Sequence, residues 1–144
     1  MRISRGFTLI EMLIVIMILG ILYSIAAVIV SGMQNEARMA RANGDLKTLE
    51  LAINSYLKNY GECPAKDNYQ RTLIQARNPL VHSNLFDPFG ATANTLYSYD
   101  ASEDHRYYIV FSVGAKRDGG STINNGGIIT IFGSIIYKTN GYLQ

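Results

Sequence analysis

The sequence predicts an α+β protein in which one long N-terminal helix, its first half spanning a membrane, packs on a small antiparallel β-sheet. Three observations lead to this prediction. An almost wholly apolar run extends from Phe7 to Val30, apolar residues then recur with a helical period up to Tyr60, and short strand-like runs follow residue 90. A helical part followed by a part made of strands is typical of the α+β class.

The apolar run has the length of a membrane-spanning helix. Its 24 residues would extend roughly 36 Å at about 1.5 Å per residue, which exceeds a hydrocarbon core of about 30 Å. Arg2 and Arg5 precede the run and predict an N-terminus on the cytoplasmic side. A cleaved secretory signal is the alternative, but its apolar core is shorter and ends in a small-residue cleavage site that is not found here. We therefore expect a single membrane-spanning helix, with the C-terminal part of the chain outside the cytoplasm.

The helix is expected to continue beyond the membrane as far as residue 60. Apolar residues at steps of three and four form one face, while polar residues fall largely on the others. This face comprises Ala42, Leu46, Leu49, Ile53, Tyr56, Leu57 and Tyr60. Gly61 and Pro64 mark the end, because Gly suits the C-terminal cap and Pro does not continue a helix.

The chain beyond residue 61 is expected to form a small sheet with long loops. Residues 70–78 look weakly helical, and the run Asp87-Pro88-Phe89-Gly90 has the composition of a type I turn. Strand-like runs follow at Leu96–Tyr99, Tyr107–Val113 and Ile128–Tyr137, the last interrupted by Gly133. The stretch 114–127 is polar and rich in glycine and is predicted to be a loop.

Composition argues against several functional classes. The formal charge of +2 comes from Arg2 and Arg5, and the remaining basic residues are interspersed with acids, so no nucleic-acid partner is expected. Cys63 is the single cysteine, which excludes an intrachain disulfide and indicates a buried free thiol. Its spacing from His82 and His105 is not that of metal ligands. A membrane-anchored enzyme is one functional alternative, but the sequence has no phosphate-binding loop, HExxH motif or nucleophile elbow, so we predict a non-enzyme.

Glu11 is the one charged residue in the apolar run. An ionised acid within a membrane helix costs on the order of 2.5–3.5 kcal/mol, so this residue needs an explanation. It could lie close enough to the interface to remain hydrated. Cleavage after Gly6 would instead provide a partner, the new α-amino group of Phe7, which could pair with Glu11 of the same chain or of a neighbouring parallel helix.

The residues around Glu11 carry a family resemblance. The run Arg5-Gly6-Phe7-Thr8-Leu9-Ile10-Glu11-Met12-Leu13-Ile14-Val15 resembles the prepilin-type processing motif of type IV pilins and type II secretion pseudopilins. The resemblance implies cleavage between Gly6 and Phe7 by a prepilin peptidase, methylation of the Phe7 amine, and guidance of filament assembly by Glu11. It also implies partners: the peptidase and methyltransferase, an inner-membrane assembly platform, and further copies of the chain.

The rest of the chain is similar to the major pseudopilin of type II secretion systems. The similar segments include Asp45–Ile53, Asp87–Gly90, Leu96–Tyr99 and Phe111–Ala115. The resemblance implies a pilin-like fold with a leader at 1–6, a membrane and filament-core segment at 7–30, an amphipathic helix at 31–60 and a globular domain at 61–144. The implied function is a periplasmic pseudopilus subunit that drives protein export together with minor pseudopilins. A type IV pilin for adhesion, twitching or DNA uptake is the alternative.

The calcium loop of that pseudopilin family is altered in this sequence. Lys116 stands where an Asp is usual, and Asp118 is the only acid of the loop. Ser121, Asn124, Asn125 and backbone carbonyls could supply neutral oxygens, although calcium affinity falls as ligand charge is lost. A calcium ion held by these four residues is therefore one expectation, and a solvated Gly/Asn loop is the other.

Overall fold

The computed structural model describes residues 7–144, apart from the side chains of residues 27–29 and 31. Arg2, Arg5 and Gly6, and with them one side of the predicted cleavage point, lie outside the described residues. By internal contacts the chain divides into two units, one ending at Ala37 and the other comprising Arg38–Gln144. Helix α1, Leu9–Tyr60, contributes to both units.

The described part of the first unit consists of Phe7, Thr8 and the N-terminal part of α1. Its segment Leu9–Ala26 is long and apolar enough to cross a membrane by length and composition. The large apolar side chains of this segment are exposed on all faces of the helix. A helix that is apolar all round is suited to lipid or to the interior of a helical assembly rather than to water.

The second unit begins with the amphipathic part of α1. Four residues of the predicted apolar face are buried there together with Ala52, whereas Tyr60 at the end of that face is exposed. The four are Ala42, Leu46, Leu49 and Ile53. Burying each of the larger side chains contributes roughly 1.5–3 kcal/mol. The helix ends where Gly61 adopts a φ of +82° and its N–H bonds the carbonyl of Leu57 at 2.8 Å, so the predicted glycine cap is confirmed.

Two three-stranded sheets complete the second unit. The elements after α1 are α2 (Tyr69–Ile74), β1 (Ser98–Ala101), β2 (Tyr108–Ser112), β3 (Gly120–Ile123), β4 (Ile128–Phe132), β5 (Ile136–Thr139) and β6 (Tyr142–Leu143). The first sheet has the order β1-β2-β5 and is antiparallel throughout. The second has the order β3-β4-β6, with β3 antiparallel and β6 parallel to β4.

Strand β2 lies between two cores, and all five of its residues are buried. Tyr108 and Val110 belong to the larger core, which contains the buried face of α1. Ile109 and Phe111 point the other way and pack with Ile129 of the second sheet. Since successive side chains of a strand alternate between faces, β2 places α1 and the second sheet on opposite sides of the first sheet.

The α+β class and the long helix packed on sheet structure are confirmed, but two details of the prediction are wrong. The predicted loop 114–127 contains a strand, β3, whose Gly120 lies opposite Phe132 and beneath its ring. The predicted single run 128–137 forms two strands in different sheets. Gly133 separates them, with a φ of +72° that favours glycine.

Candidate assembly site

Thr8 and Glu11 form a capping box at the start of α1. The Thr8 N–H and the Thr8 hydroxyl each donate a hydrogen bond to Oε2 of Glu11, both at 2.9 Å. The Glu11 N–H donates in return to Thr8 Oγ1 at 3.3 Å. This reciprocal arrangement satisfies backbone N–H groups that a helix start otherwise leaves without partners.

The capping box determines how the Glu11 carboxylate is presented. Within residues 7–144, both bonds that it accepts fall on Oε2, which leaves Oε1 available to another donor. The Phe7 nitrogen of the uncleaved chain is a peptide nitrogen and carries no charge. A charge pair between Phe7 and Glu11 therefore requires cleavage before Phe7. Sequence reasoning missed the capping box, although the Thr-x-x-Glu spacing ahead of an apolar run is its signature.

The four residues named for a calcium ion do not converge. Asp118 precedes β3 and Asn124 follows it, and the four residues of β3 cover roughly 13 Å at about 3.3 Å per residue. Ligands of one calcium ion lie about 2.3–2.6 Å from it and hence within about 5 Å of each other. In this arrangement Asp118 and Asn124 therefore cannot bind the same ion.

Three of these four residues use a side-chain oxygen in a hydrogen bond elsewhere. Asn124 Oδ1 accepts from the Ile128 N–H at 2.9 Å and closes the turn between β3 and β4. Asn125 Oδ1 accepts from the Glu103 N–H at 2.9 Å, and Asp118 Oδ1 accepts from the Ser134 N–H at 3.3 Å. Ser121 lies within β3, and its buried hydroxyl oxygen has no hydrogen-bond partner among the described residues. The residues present do not fit a calcium site.

Cys63 belongs to the larger core. Its side chain is buried, and this burial raises the pKa of the thiol to about 11, so the reactive thiolate is disfavoured at neutral pH. Its N–H bonds the His105 carbonyl at 2.6 Å, which joins the end of α1 to the loop after β1. Across the described part of the chain, no three His, Cys, Asp or Glu side chains are grouped to hold a metal ion.

The chain is similar to known proteins both in its N-terminal motif and over most of its length. The prokaryotic N-terminal methylation motif matches residues 1–27. The type II secretion system core protein G of Vibrio cholerae is 30% identical over 131 residues, 83% of this chain and 87% of that protein. The same protein of Pseudomonas aeruginosa is 28% identical over 132 residues (83% and 90%), and that of Klebsiella pneumoniae 27% over 125 residues (79% and 86%). No solved structure matches the chain significantly.

An apolar helix that begins with a methylation motif and continues onto a small sheet-containing unit defines a protein of the type IV pilin and pseudopilin class. The similarity to core protein G extends over most of both chains. The chain therefore belongs to the type II secretion system core protein G family, the major pseudopilins.

Proposed function

We propose that this chain is the structural subunit of a type II secretion pseudopilus, which polymerises at the inner membrane to drive protein export. The observation that carries the proposal is the similarity to core protein G over more than four fifths of both chains. The alternative of a type IV pilin for adhesion, twitching or DNA uptake is not favoured, because the relatives that match are core protein G. We propose no catalytic role for it.

Processing would create the charge that Glu11 needs. Hydrolysis of the Gly6–Phe7 bond by a prepilin peptidase consumes one water and leaves a carboxylate on Gly6 and an amine on Phe7. An α-amino group has an ordinary pKa of about 7.7–8.0 and is therefore mostly protonated at neutral pH. Methylation of the Phe7 amine would retain its positive charge and its ability to donate a hydrogen bond.

Glu11 would then pair with the Phe7 amine of a neighbouring copy. The capping box holds one carboxylate oxygen and leaves Oε1 of Glu11 for that amine. In a helix bundle that excludes water an unpaired charge is strongly disfavoured, so the pair would set the axial register of adjacent subunits. The exposed apolar side chains of Leu9–Ala26 would be buried against lipid before assembly and against neighbouring helices after it.

The proposed function also implies where the chain is located and which partners it has. Arg2 and Arg5 favour a cytoplasmic N-terminus, so residues 38–144 would lie in the periplasm. The partners would be the prepilin peptidase and methyltransferase, the inner-membrane assembly platform, minor pseudopilins, and other copies of the chain in a helical filament.

The test replaces the chain in its own bacterium and measures two outputs, export of secreted proteins and filaments in sheared fractions. Glu11→Val is expected to be inserted and cleaved but to abolish both outputs. Gly6→Leu is expected to retain the leader, seen by intact mass, and to abolish both as well.

Deletion of the gene for this chain distinguishes the pseudopilus subunit from the type IV pilin. Loss of export with normal twitching and adhesion supports the pseudopilus, whereas normal export with lost twitching or adhesion would establish the type IV pilin instead. Normal filaments from Glu11→Val alone would contradict the charge pair, and complete cleavage of Gly6→Leu would contradict the processing site.

A further inference from the structure

Three segments that are far apart in the sequence meet at one end of the two sheets. They are the loop 102–106 after β1, the turn 124–127 between β3 and β4, and the C-terminal stretch 139–142. Two asparagine side chains, Asn125 and Asn140, make hydrogen bonds that join these segments. The calcium site implied by family resemblance was expected on the second of these segments and the residues just before it.

Asn125 joins the turn to the loop. Its Oδ1 accepts a hydrogen bond from the Glu103 N–H at 2.9 Å, and its Nδ2 donates to Glu103 Oε2 at 3.0 Å. The amide therefore bonds both the backbone and the side chain of Glu103, which lies 22 residues away. The Glu103 carboxylate therefore already accepts a hydrogen bond from a neutral donor, the Asn125 amide.

Asn140 joins the C-terminal stretch to the start of β2. Its Oδ1 accepts from the Tyr108 N–H at 2.8 Å, and its Nδ2 donates to the Arg106 carbonyl at 2.9 Å. The neighbouring Thr139 hydroxyl bonds the Tyr108 carbonyl and accepts from the Gly141 N–H. The side chains of Thr139 and Asn140 thus satisfy backbone groups at the beginning of β2, where the ladder with β5 ends.

The C-terminal stretch also passes from one sheet to the other. Strand β5 pairs with β2 of the first sheet, and β6 pairs with β4 of the second. At the start of β6, the Tyr142 N–H donates to the Gly127 carbonyl at 2.7 Å, which connects this strand to the turn between β3 and β4. A Cβ on Gly141 would lie 2.6 Å from that carbonyl oxygen, so the crossing requires glycine here.

We propose that Asn125 and Asn140 form an amide clasp that holds these three segments together in place of a metal ion. Each amide uses both its oxygen and its nitrogen, so the clasp is complete without a cation. Of the candidate calcium ligands only Asn125 belongs to the clasp, and its oxygen already accepts from the Glu103 N–H. Asp118 lies at the opposite end of β3. The fold of the second unit is therefore independent of calcium, whether or not the chain acts as a pseudopilus subunit.

The test measures thermal unfolding of the full chain in detergent micelles, with the chelator EGTA or with millimolar calcium. The wild type is expected to melt at the same temperature in both. Asn125→Ala and Asn140→Ala are each expected to lower the melting temperature by roughly 4–8 °C, equally in both solutions. Asn84→Ala, an exposed asparagine of a loop, is the matched control and is expected to leave it unchanged.

Amide hydrogen exchange followed by mass spectrometry shows which segments each substitution destabilises. It also applies to a variant that melts at too low a temperature to give a clear unfolding transition. Faster exchange is expected at Glu103 and in 124–127 in Asn125→Ala, and at Tyr108 in Asn140→Ala, with α1 unaffected in both. A wild-type melting temperature that falls on chelation and recovers with calcium would overturn the proposal. So would clasp variants that melt and exchange as the wild type does.

Discussion

The hydroxyl of Tyr97 donates a hydrogen bond to Oδ2 of Asp45 at 3.0 Å and so joins the chain just before β1 to the helix α1. The ring of Tyr97 is buried in the larger core, while Asp45 also contacts Arg41 Nε at 3.5 Å. A side chain from the sheet region thus both packs against the helix and bonds to it. Conservative replacement of this tyrosine separates the hydrogen bond from the packing.

Tyr97→Phe is expected to lower the free energy of unfolding by about 1 kcal/mol, the typical net contribution of such a hydrogen bond. The loss stays small because Asp45 is only partly buried and keeps Arg41 as a partner. Tyr97→Ala removes the ring as well and is expected to cost about 3–5 kcal/mol. Chemical denaturation of both variants measures the difference, and equal losses would contradict the separate contribution of the hydrogen bond.

Thr8→Val should weaken the start of α1 without changing side-chain volume. The variant loses the hydroxyl that bonds Glu11 Oε2 and accepts from the Glu11 N–H, and loss of such a cap costs about 1 kcal/mol. Faster amide exchange in residues 9–13 is the direct measurement, and a lower filament yield is the functional one. Thr8→Ser keeps the hydroxyl and is the control. Equal exchange in all three chains would show that the capping box does not order this end.

Two glycine substitutions are expected to act in opposite directions. Gly133 has a φ of +72°, and a Cβ there would lie 2.5 Å from the Asp118 carbonyl oxygen, so Gly133→Ala should destabilise the second unit by more than about 1 kcal/mol. Gly44 lies in α1 with open space around its Cα, so Gly44→Ala should stabilise it by about 1 kcal/mol. Denaturant unfolding measures the change in the free energy of unfolding for each variant. If Gly133→Ala stabilised the chain, that would contradict the positive φ by which Gly133 separates β4 from β5.

The helix was predictable because its signals are local. Ala42, Leu46 and Leu49 repeat with the helical period, and Gly61 ends the helix, so neither requires knowledge of the rest of the fold. The position of Glu11 in an apolar run likewise marked the candidate site from sequence alone. Its bonds to Thr8 followed a known spacing and could have been predicted as well.

The second sheet was not predictable in the same way. Strand β3 is the short run Gly-Ser-Thr-Ile, and its glycine is acceptable only because the Phe132 ring of β4 covers it. Strand β6 has two residues and exists through its parallel pairing with β4. Both strands depend on contacts between distant parts of the chain, which propensity and period do not contain. The same contacts placed Asn125 against Glu103 rather than beside Asp118.

Stability of the second unit should fall at alkaline pH. Burial raises the pKa of Tyr69, Tyr99 and Tyr108 above the ordinary value of 10.0, and that of Cys63 from 9.0 to about 11. The folded state therefore holds protons that the unfolded state releases, and the unfolded state is favoured as pH rises. The stabilisation is fully present below pH 9 and is lost progressively above it, first through Cys63 and then, above pH 10, through the tyrosines. Melting temperatures between pH 7 and 11 measure the loss. Cys63→Ala is expected to remove the thiol part of this loss, which falls between pH 9 and about 11. A melting temperature constant to pH 11 would contradict the burial of the thiol and the tyrosine hydroxyl groups.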